Sequence, residues 1–299
     1  MIEQIKSLLE RNYGFKVKSI KETKGGWAAL AFIVETDNNK YFLKLYDMKR
    51  ASSITYTKYI DGYARILLQL HNLKDNITIP ILTKDNKSYV EENGYRYLLL
   101  EFIDGDTVAS GKLTATEKLL LVDIINKLHN AKIDSKWNLE KETFVVETNN
   151  KLKNFIKNPT DNEVFEIISS KMKSLVNIID YVEKTSKKYQ NNNIDMVLCH
   201  TDIHTYNMMR KDGKLWLIDW EGLKISPKEN DLALLDDEYK QVVVDYYNGQ
   251  DIDQELMKYY PLKRKIDDIW EWIELLVIDN NYERRKEYIE NLKAEISDI

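Results

Sequence analysis

The sequence predicts an α+β protein of two lobes: a small mixed lobe built on antiparallel strands, then a larger, mainly helical one, changing over near residues 101–106. Three observations carry this. Short alternating apolar runs separated by turn residues fill the first hundred positions. From Thr114 onward apolar residues recur at helical spacing. The 299 residues, 43% of them apolar, suffice for two cores. The expected lobes are 1–101 and 102–299.

Ile2, Ile5, Leu8 and Leu9 give a first amphipathic helix with charges between them, which is not the pattern of a signal peptide. Strands are expected over 16–22, 27–36 and 40–46, a helix over 53–71, and strands over 87–91 and 95–101. Thr114 followed by Glu117 is a capping box, and Leu120, Leu121, Ile124, Ile125 and Leu128 keep one apolar face until His129 and Asn130. Helices over 140–156 and 162–188 are separated by Pro159. The apolar runs 196–199 and 215–218 read as short buried strands, and helices over 232–247, 253–277 and 282–296 complete the chain.

Polar clusters follow both of those short strands. The first is His200-Thr201-Asp202-Ile203-His204-Thr205-Tyr206-Asn207, and the second opens at Asp219. Loops on strand ends are where catalytic groups sit. Phosphoryl transfer needs a carboxylate that orients or deprotonates the attacking hydroxyl, an Asn a few residues on for one Mg²⁺, and a separate Asp for the metal bridging the phosphates. Asp202, Asn207 and Asp219 fit these roles in that order.

The first lobe supplies matching parts. Lys44 lies in Tyr41-Phe-Leu-Lys-Leu-Tyr46, where strand alternation would aim its ammonium at the α- and β-phosphates. Gly25 and Gly26 precede an apolar run and suit a turn whose backbone approaches phosphates. The strand 95–101 runs into Asp104-Gly105, which reads either as a strand followed by an ordinary turn or as an interlobe hinge, whose backbone at Glu101 and Ile103 would meet a purine edge.

With these elements in this order, the chain resembles the aminoglycoside phosphotransferase and choline-kinase-like family over residues 25–231, and so a protein-kinase-like fold. Ile218-Asp219-Trp220-Glu221 stands where protein kinases have Asp-Phe-Gly, and no Ala-Pro-Glu segment follows. Pro227-Lys-Glu229-Asn-Asp231-Leu232 is similar to a family segment whose acid braces the catalytic loop. The loop, Asp219-Trp220-Glu221-Gly222 and this segment together resemble the spectinomycin phosphotransferase-like subgroup.

The resemblance implies an ATP- or GTP-dependent, Mg²⁺-dependent kinase that phosphorylates a hydroxyl of an aminoglycoside-like or aminocyclitol antibiotic. Asp202 is then catalytic; Asn207 and Asp219 hold metal; Lys44, Gly25, Gly26, Glu101 and Ile103 bind nucleotide; His200, Glu221 and Asp231 support the loop or the metal. One departure stands out. The family pairs its strand lysine with a helix Glu, yet no Glu occurs between Lys44 and Glu91. Asp61 is the expected substitute.

A net charge of −5 argues against a nucleic-acid surface, and Glu229, Asp231, Asp236, Asp237 and Glu238 fall in one short stretch beside the expected active site, where they would attract a cationic acceptor; a solvated helix face is the more common explanation of such a run. The single cysteine, Cys199, excludes an internal disulfide and a Cys-based zinc site and suits a reducing cytoplasm. No run is long enough to span a bilayer. His71 and His129 read as structural helix ends, and Tyr259, Tyr260, Trp270 and Trp272 as core more than ligand platform. Rival readings are a metabolic sugar or amino-alcohol kinase of the same fold, a metal-dependent hydrolase using His200, Asp202 and His204, and an inactive nucleotide-binding scaffold. Acceptor identity, ATP against GTP and oligomeric state stay open.

Overall fold

The alternation of the first hundred residues resolves into a five-stranded antiparallel sheet backed by a helix. The computed structural model describes residues 1–23, 29–109, 111–134, 136–247, 252–278 and 282–299. Helix α1 (Ile2–Tyr13) is followed by β1 (Val17–Thr23), β2 (Leu30–Thr36), β3 (Lys40–Asp47), helices α2 (Ala51–Tyr56) and α3 (Ile60–Leu67), and strands β4 (Val90–Glu92) and β5 (Tyr95–Glu101). The sheet order is β1-β2-β3-β5-β4.

Period-two alternation gives this sheet two buried faces. Leu43 and Leu45 of β3, with Tyr97 and Leu99 of β5, pack with Ile5, Leu8 and Leu9 of α1. Full burial of each such Leu or Ile is worth on the order of 2 kcal/mol. Lys44 and Tyr46 therefore point to the opposite face, where Lys44 pairs in register with Leu98.

The expected helix over 53–71 is instead α2 and α3, with a turn at Thr57. Arg96 of β5 donates to Thr57 O at 3.0 Å and to Thr57 Oγ1 at 2.9 Å, and Thr57 Oγ1 also donates to Ser53 O at 2.6 Å. Thr57 O accepts from Arg96 and, within a tight turn, from Ile60 N at 3.2 Å, so side-chain bonds and a turn take the place of the regular ladder at this point.

Beyond β5 come β6 (Asp106–Thr107), α4 (Ala115–His129), β7 (Glu140–Lys141), α5 (Glu147–Lys157), α6 (Asn162–Ser169), α7 (Met172–Tyr189), β8 (Val197–Cys199), β9 (Met208–Lys211), β10 (Lys214–Leu217), β11 (Lys224–Ser226), α8 (Glu229–Leu232), α9 (Asp237–Tyr246), α10 (Gln254–Ile278) and α11 (Tyr282–Ser297). The capping box forms as expected: Thr114 Oγ1 accepts from Glu117 N, and Glu117 accepts from Thr114 N. Glu117 also binds Arg210 of β9, and that guanidinium holds its carboxyl down at about 2. Residues 140–141 pair in parallel with β11, so the helix expected over 140–156 starts only at Glu147.

The described residues form two compact units. One comprises Met1–Lys141, Met196–Asp231 and Leu235–Asn248, the other Glu142–Asp195, Leu232–Leu234 and Gly249–Ile299. The sheet and strands β8 to β11 share the first unit. The change at 101–106 thus separates a strand-rich from a helix-rich stretch of sequence without separating these units. In the second unit, α5, α6, α7, α10 and α11 close around Leu152, Val164, Leu175, Ile179, Ile266 and Leu292. Tyr259 and Tyr260 belong to that core, and Trp270 and Trp272 pack against it.

Within the first unit, Leu217 N donates to Asn76 O at 2.7 Å and Asn76 Nδ2 to Leu215 O at 2.9 Å. Glu101 N donates to Ile79 O at 2.9 Å. The segment 76–79 therefore ties β10, which leads to Asp219, to the end of β5.

Gly62 in α3 sits hard against the backbone of the loop before β7: a Cβ there would lie 1.7 Å from Asn138 O. Helix propensity alone favours Ala over Gly by about 1 kcal/mol, whereas a carbonyl in that position cannot yield. We expect Gly62→Ala to lower stability by about 1–3 kcal/mol in urea denaturation, and a stabilised variant would show that the contact relaxes freely.

Candidate functional site

The site is assembled from the middle of one strand of the first unit and the loops that follow two others. Lys44 emerges from the centre of β3, and Nζ lies 2.6 Å from Asp219 Oδ1 and 2.5 Å from Glu221 Oε1. Burial opposes the lysine's charge, but Glu221 and Asp219 outweigh it and raise its pKa. Burial likewise disfavours the Asp219 carboxylate, and the ammonium of Lys44 overrides it and lowers the pKa. Asp219 takes a left-handed backbone, φ 64° and ψ 64°, a conformation that Asp tolerates better than most residues.

The loop after β8 places Asp202 beside Asn207. Asn207 Nδ2 donates to Asp202 Oδ2 and to Asp202 O, both at 2.9 Å, and contacts His204 Nε2 at 3.2 Å. Asn207 is buried, whereas a third of the Asp202 side chain is exposed, at 34%. With the Asn207 amide nitrogen committed, its oxygen is the atom left for a cation. Asp219 adds carboxylate oxygens, and an all-oxygen set of this kind suits Mg²⁺ better than a transition metal.

His200 is fully buried. Its Nε2 lies 3.0 Å from Ile218 O, its Nδ1 accepts from Asp202 N at 3.3 Å, and the ring meets Trp220 edge-on. Both ring nitrogens are thus committed to backbone, which fixes the loop and leaves neither for a metal. That geometry disfavours the hydrolase reading, which needs His200 as a ligand.

Asp231 braces the same loop. Its Oδ1 accepts from Thr201 N at 2.6 Å and its Oδ2 from His200 N at 3.1 Å, while Oδ2 also lies 3.0 Å from His129 Nε2. Tyr247 Oη reaches His129 Nδ1 at 2.8 Å. His129 is therefore more than a helix end meeting terminal carbonyls: its spacing from Val122 and Ile125 puts it on the buried stripe of α4, a signal the sequence did carry. His129, Cys199 and Asp231 bring their ligand atoms within 4.8 Å of one another. His129 and Asp231 are taken up by hydrogen bonds, and burial holds the Cys199 thiol protonated with its pKa well up.

Other expected residues fall as follows. Asp61 does not meet Lys44: it accepts from Ser88 Oγ at 2.6 Å and lies 3.7 Å from Arg65 Nε. Tyr63, roughly 200° further round α3, faces the lysine instead, lining a small cavity with Lys44, Thr78, Leu98, Asp219 and Glu221. Glu101 ends β5 and Ile103 is buried two residues on, in unpaired chain. Gly25 and Gly26 lie outside the described residues. The acidic run 229–238 does not form one face: Glu229 and Asp231 are buried, Glu238 pairs with Lys118, and the Asp237 side chain is wholly exposed.

Losing the Asp231 charge strands two amides and a histidine in the interior. We expect Asp231→Asn to cost about 3 kcal/mol or more in urea denaturation, against a change within about 0.5 kcal/mol for Asp237→Asn. Equal effects would mean that Asp231 does not brace the loop.

Known proteins share the fold that carries these residues. No curated protein sequence matches the chain. Among solved structures, spectinomycin phosphotransferase APH(9)-Ia in complex with ADP and spectinomycin superposes with a TM-score of 0.78 at 22% identity, over 98% of this chain and 94% of that one. Amicoumacin kinase hAmiN in complex with AMP-PNP, Ca²⁺ and its antibiotic gives 0.68 at 13% identity, over 99% and 93%. A thermostable mutant of aminoglycoside phosphotransferase APH(4)-Ia in its apo form gives 0.62 at 13% identity, over 98% of each chain. The fold is thus the protein-kinase-like α+β fold of these enzymes. The model of the phosphotransferase enzyme family, APH, matches residues 19–247, and the chain belongs to that family.

Proposed function

We propose that this phosphotransferase moves the γ-phosphoryl group of ATP or GTP to a hydroxyl of a small cationic acceptor, an aminocyclitol or aminoglycoside-like antibiotic, in the cytoplasm. The observation that carries the reading is the meeting of Lys44 with Asp219, 175 residues apart, at 2.6 Å. A strand lysine and a metal-binding carboxylate converge in this way where phosphates are to be clamped.

On this reading residues 1–101 form the nucleotide-clamping lobe and residues 102–299 the lobe with the catalytic loop, the purine edge meeting backbone at Glu101 and Ile103. Asp202 orients the acceptor hydroxyl and takes its proton as the oxygen attacks the γ-phosphorus, while the nucleoside diphosphate departs. Asn207 fixes Asp202 through its amide and offers its oxygen, with Asp219, to Mg²⁺, which when bound neutralises charge on the phosphates. Lys44 holds the α- and β-phosphates.

Spectinomycin is the favoured first acceptor. The solved spectinomycin phosphotransferase superposes with a higher TM-score than the amicoumacin or APH(4)-Ia enzymes cited above, and the motifs from Cys199 to Leu232 resemble that subgroup. No helix among the described residues is long and apolar enough to cross a membrane, and the single cysteine suits a reducing compartment.

The test is acceptor-dependent release of nucleoside diphosphate with Mg²⁺ and ATP or GTP across spectinomycin, aminoglycosides, macrolides, choline and methylthioribose. We expect stimulation by spectinomycin, and a fall of about 10²–10⁴-fold in Asp202→Ala with nucleotide binding kept. Stimulation by choline or methylthioribose alone would replace the antibiotic reading with a metabolic one. Asp219→Ala should weaken nucleotide binding only when Mg²⁺ is present, and unchanged binding would remove it from the metal site.

A further inference from the structure

The lysine that clamps phosphates needs a fixed partner, and the helix that would supply one carries no carboxylate in reach. Asp61 is held by Ser88 and Arg65. We propose that Glu221, two residues beyond the metal-binding Asp219, is the residue that positions Lys44 for the nucleotide phosphates, held in place by Tyr46 and walled in by Tyr63. This inference rests on the kinase reading above and assigns a positioning role within the same site.

Four observations support it. Lys44 faces two carboxylates, and their exposure separates them: the Glu221 side chain is 13% exposed and that of Asp219 37%. The more open carboxylate is the one free to turn toward a metal, and the enclosed one stays with the lysine. Next, Tyr46 Oη donates to Glu221 Oε1, the oxygen that also meets Lys44 Nζ. Tyr46 lies two positions after Lys44 on β3, so one strand face presents both the ammonium and the hydroxyl that grip Glu221.

Tyr63 occupies the face of α3 from which a helix carboxylate would otherwise reach the lysine. It is 1% exposed, its hydroxyl lies beside that of Tyr46, and it feels the charge of Glu221 and Asp219. Finally, Trp220 is buried, with Nε1 donating to Leu217 O at 3.0 Å. That anchor fixes the short turn Trp220–Gly222 and presents Glu221 from a rigid base.

The sign of the effect separates this role from plain electrostatics. Neutralising a carboxylate beside an anion site should by charge alone tighten nucleotide binding. Loss of a positioning residue loosens it. The experiment is calorimetric titration of the full chain with ADP and with adenosine, each with Mg²⁺ and with EDTA, for wild type, Glu221→Gln and the nearly isosteric Tyr46→Phe.

We expect Glu221→Gln to lower ADP affinity about tenfold with and without Mg²⁺, leaving adenosine affinity unchanged, and Tyr46→Phe to act in the same direction by about threefold. Unchanged or tighter ADP binding would overturn the proposal. So would a loss confined to the Mg²⁺ arm, which would make Glu221 a metal contact, or an equal loss for adenosine, which would make it a structural residue. A wild type that binds no ADP in any arm would remove the nucleotide reading itself, an outcome distinct from all of these.

Discussion

The buried carboxylate of Asp231 is the constraint on which the site depends. A charge at 1% exposure is tolerable only when fully hydrogen-bonded, and its partners are the amides of His200 and Thr201 and the ring of His129. Those amides open the loop that carries Asp202. The loop therefore cannot move without uncovering an anion in the interior, and α4 and α9 are drawn into the same network through His129 and Tyr247. Thr201 itself has φ 68°, an unfavourable value for a β-branched residue. Its amide is held by Asp231 and its hydroxyl donates to Gly222 O at 2.9 Å, so the surroundings impose the strain next to Asp202.

The second constraint is strand register. Because side chains alternate at every residue, a one-residue slip of β3 against β5 would send Lys44 into the α1 core and bring Leu43 or Leu45 to the cleft. The packing of α1 on Leu43 and Leu45 is thus what aims the lysine. The segment 76–79 then relates β5 to β10 by backbone hydrogen bonds, and β10 delivers Asp219. Hydrophobic burial on one face of the sheet and a few amides at its edge set the 2.6 Å approach of Lys44 to Asp219.

Much of this was legible in the sequence, and the misses have physical causes. The capping box at Thr114 and Glu117 was readable because both its bonds join residues three apart. That residues 200–207 and Asp219 leave strand ends as loops was readable because apolar strands precede them. The break at Thr57 was not, because Arg96, thirty-nine positions away, takes the carbonyl and hydroxyl of Thr57, and no Gly or Pro marks the spot. The pairing of residues 140–141 with β11 is likewise a tertiary choice over two residues. Asp61 was the sensible candidate by position, but the turn at Thr57 resets the start of α3, and the new register directs Asp61 to Ser88. Tyr46 could have been found, since it shares a strand face with Lys44; its acceptor, Glu221, could not be known from local sequence.

One contact joins the loop of Asp202 to the turn of Asp219 and Glu221 and explains why a glycine follows Glu221. A Cβ on Gly222 would stand 2.5 Å from Thr201 Oγ1 and 3.0 Å from His200 O. Thr201 Oγ1 can donate to Gly222 O only because that space is empty of side chain. The loop holding Asp202 and the turn holding Asp219 and Glu221 are thereby packed backbone to backbone. The more exposed Asp219 side chain can turn without moving main chain, and the backbones that carry Asp202, Asp219 and Glu221 do not drift apart. The proposed phosphoryl transfer would need this division, in which fixed main chain sets the distances between groups and only exposed carboxylate ends, such as that of Asp219, turn as charge arrives.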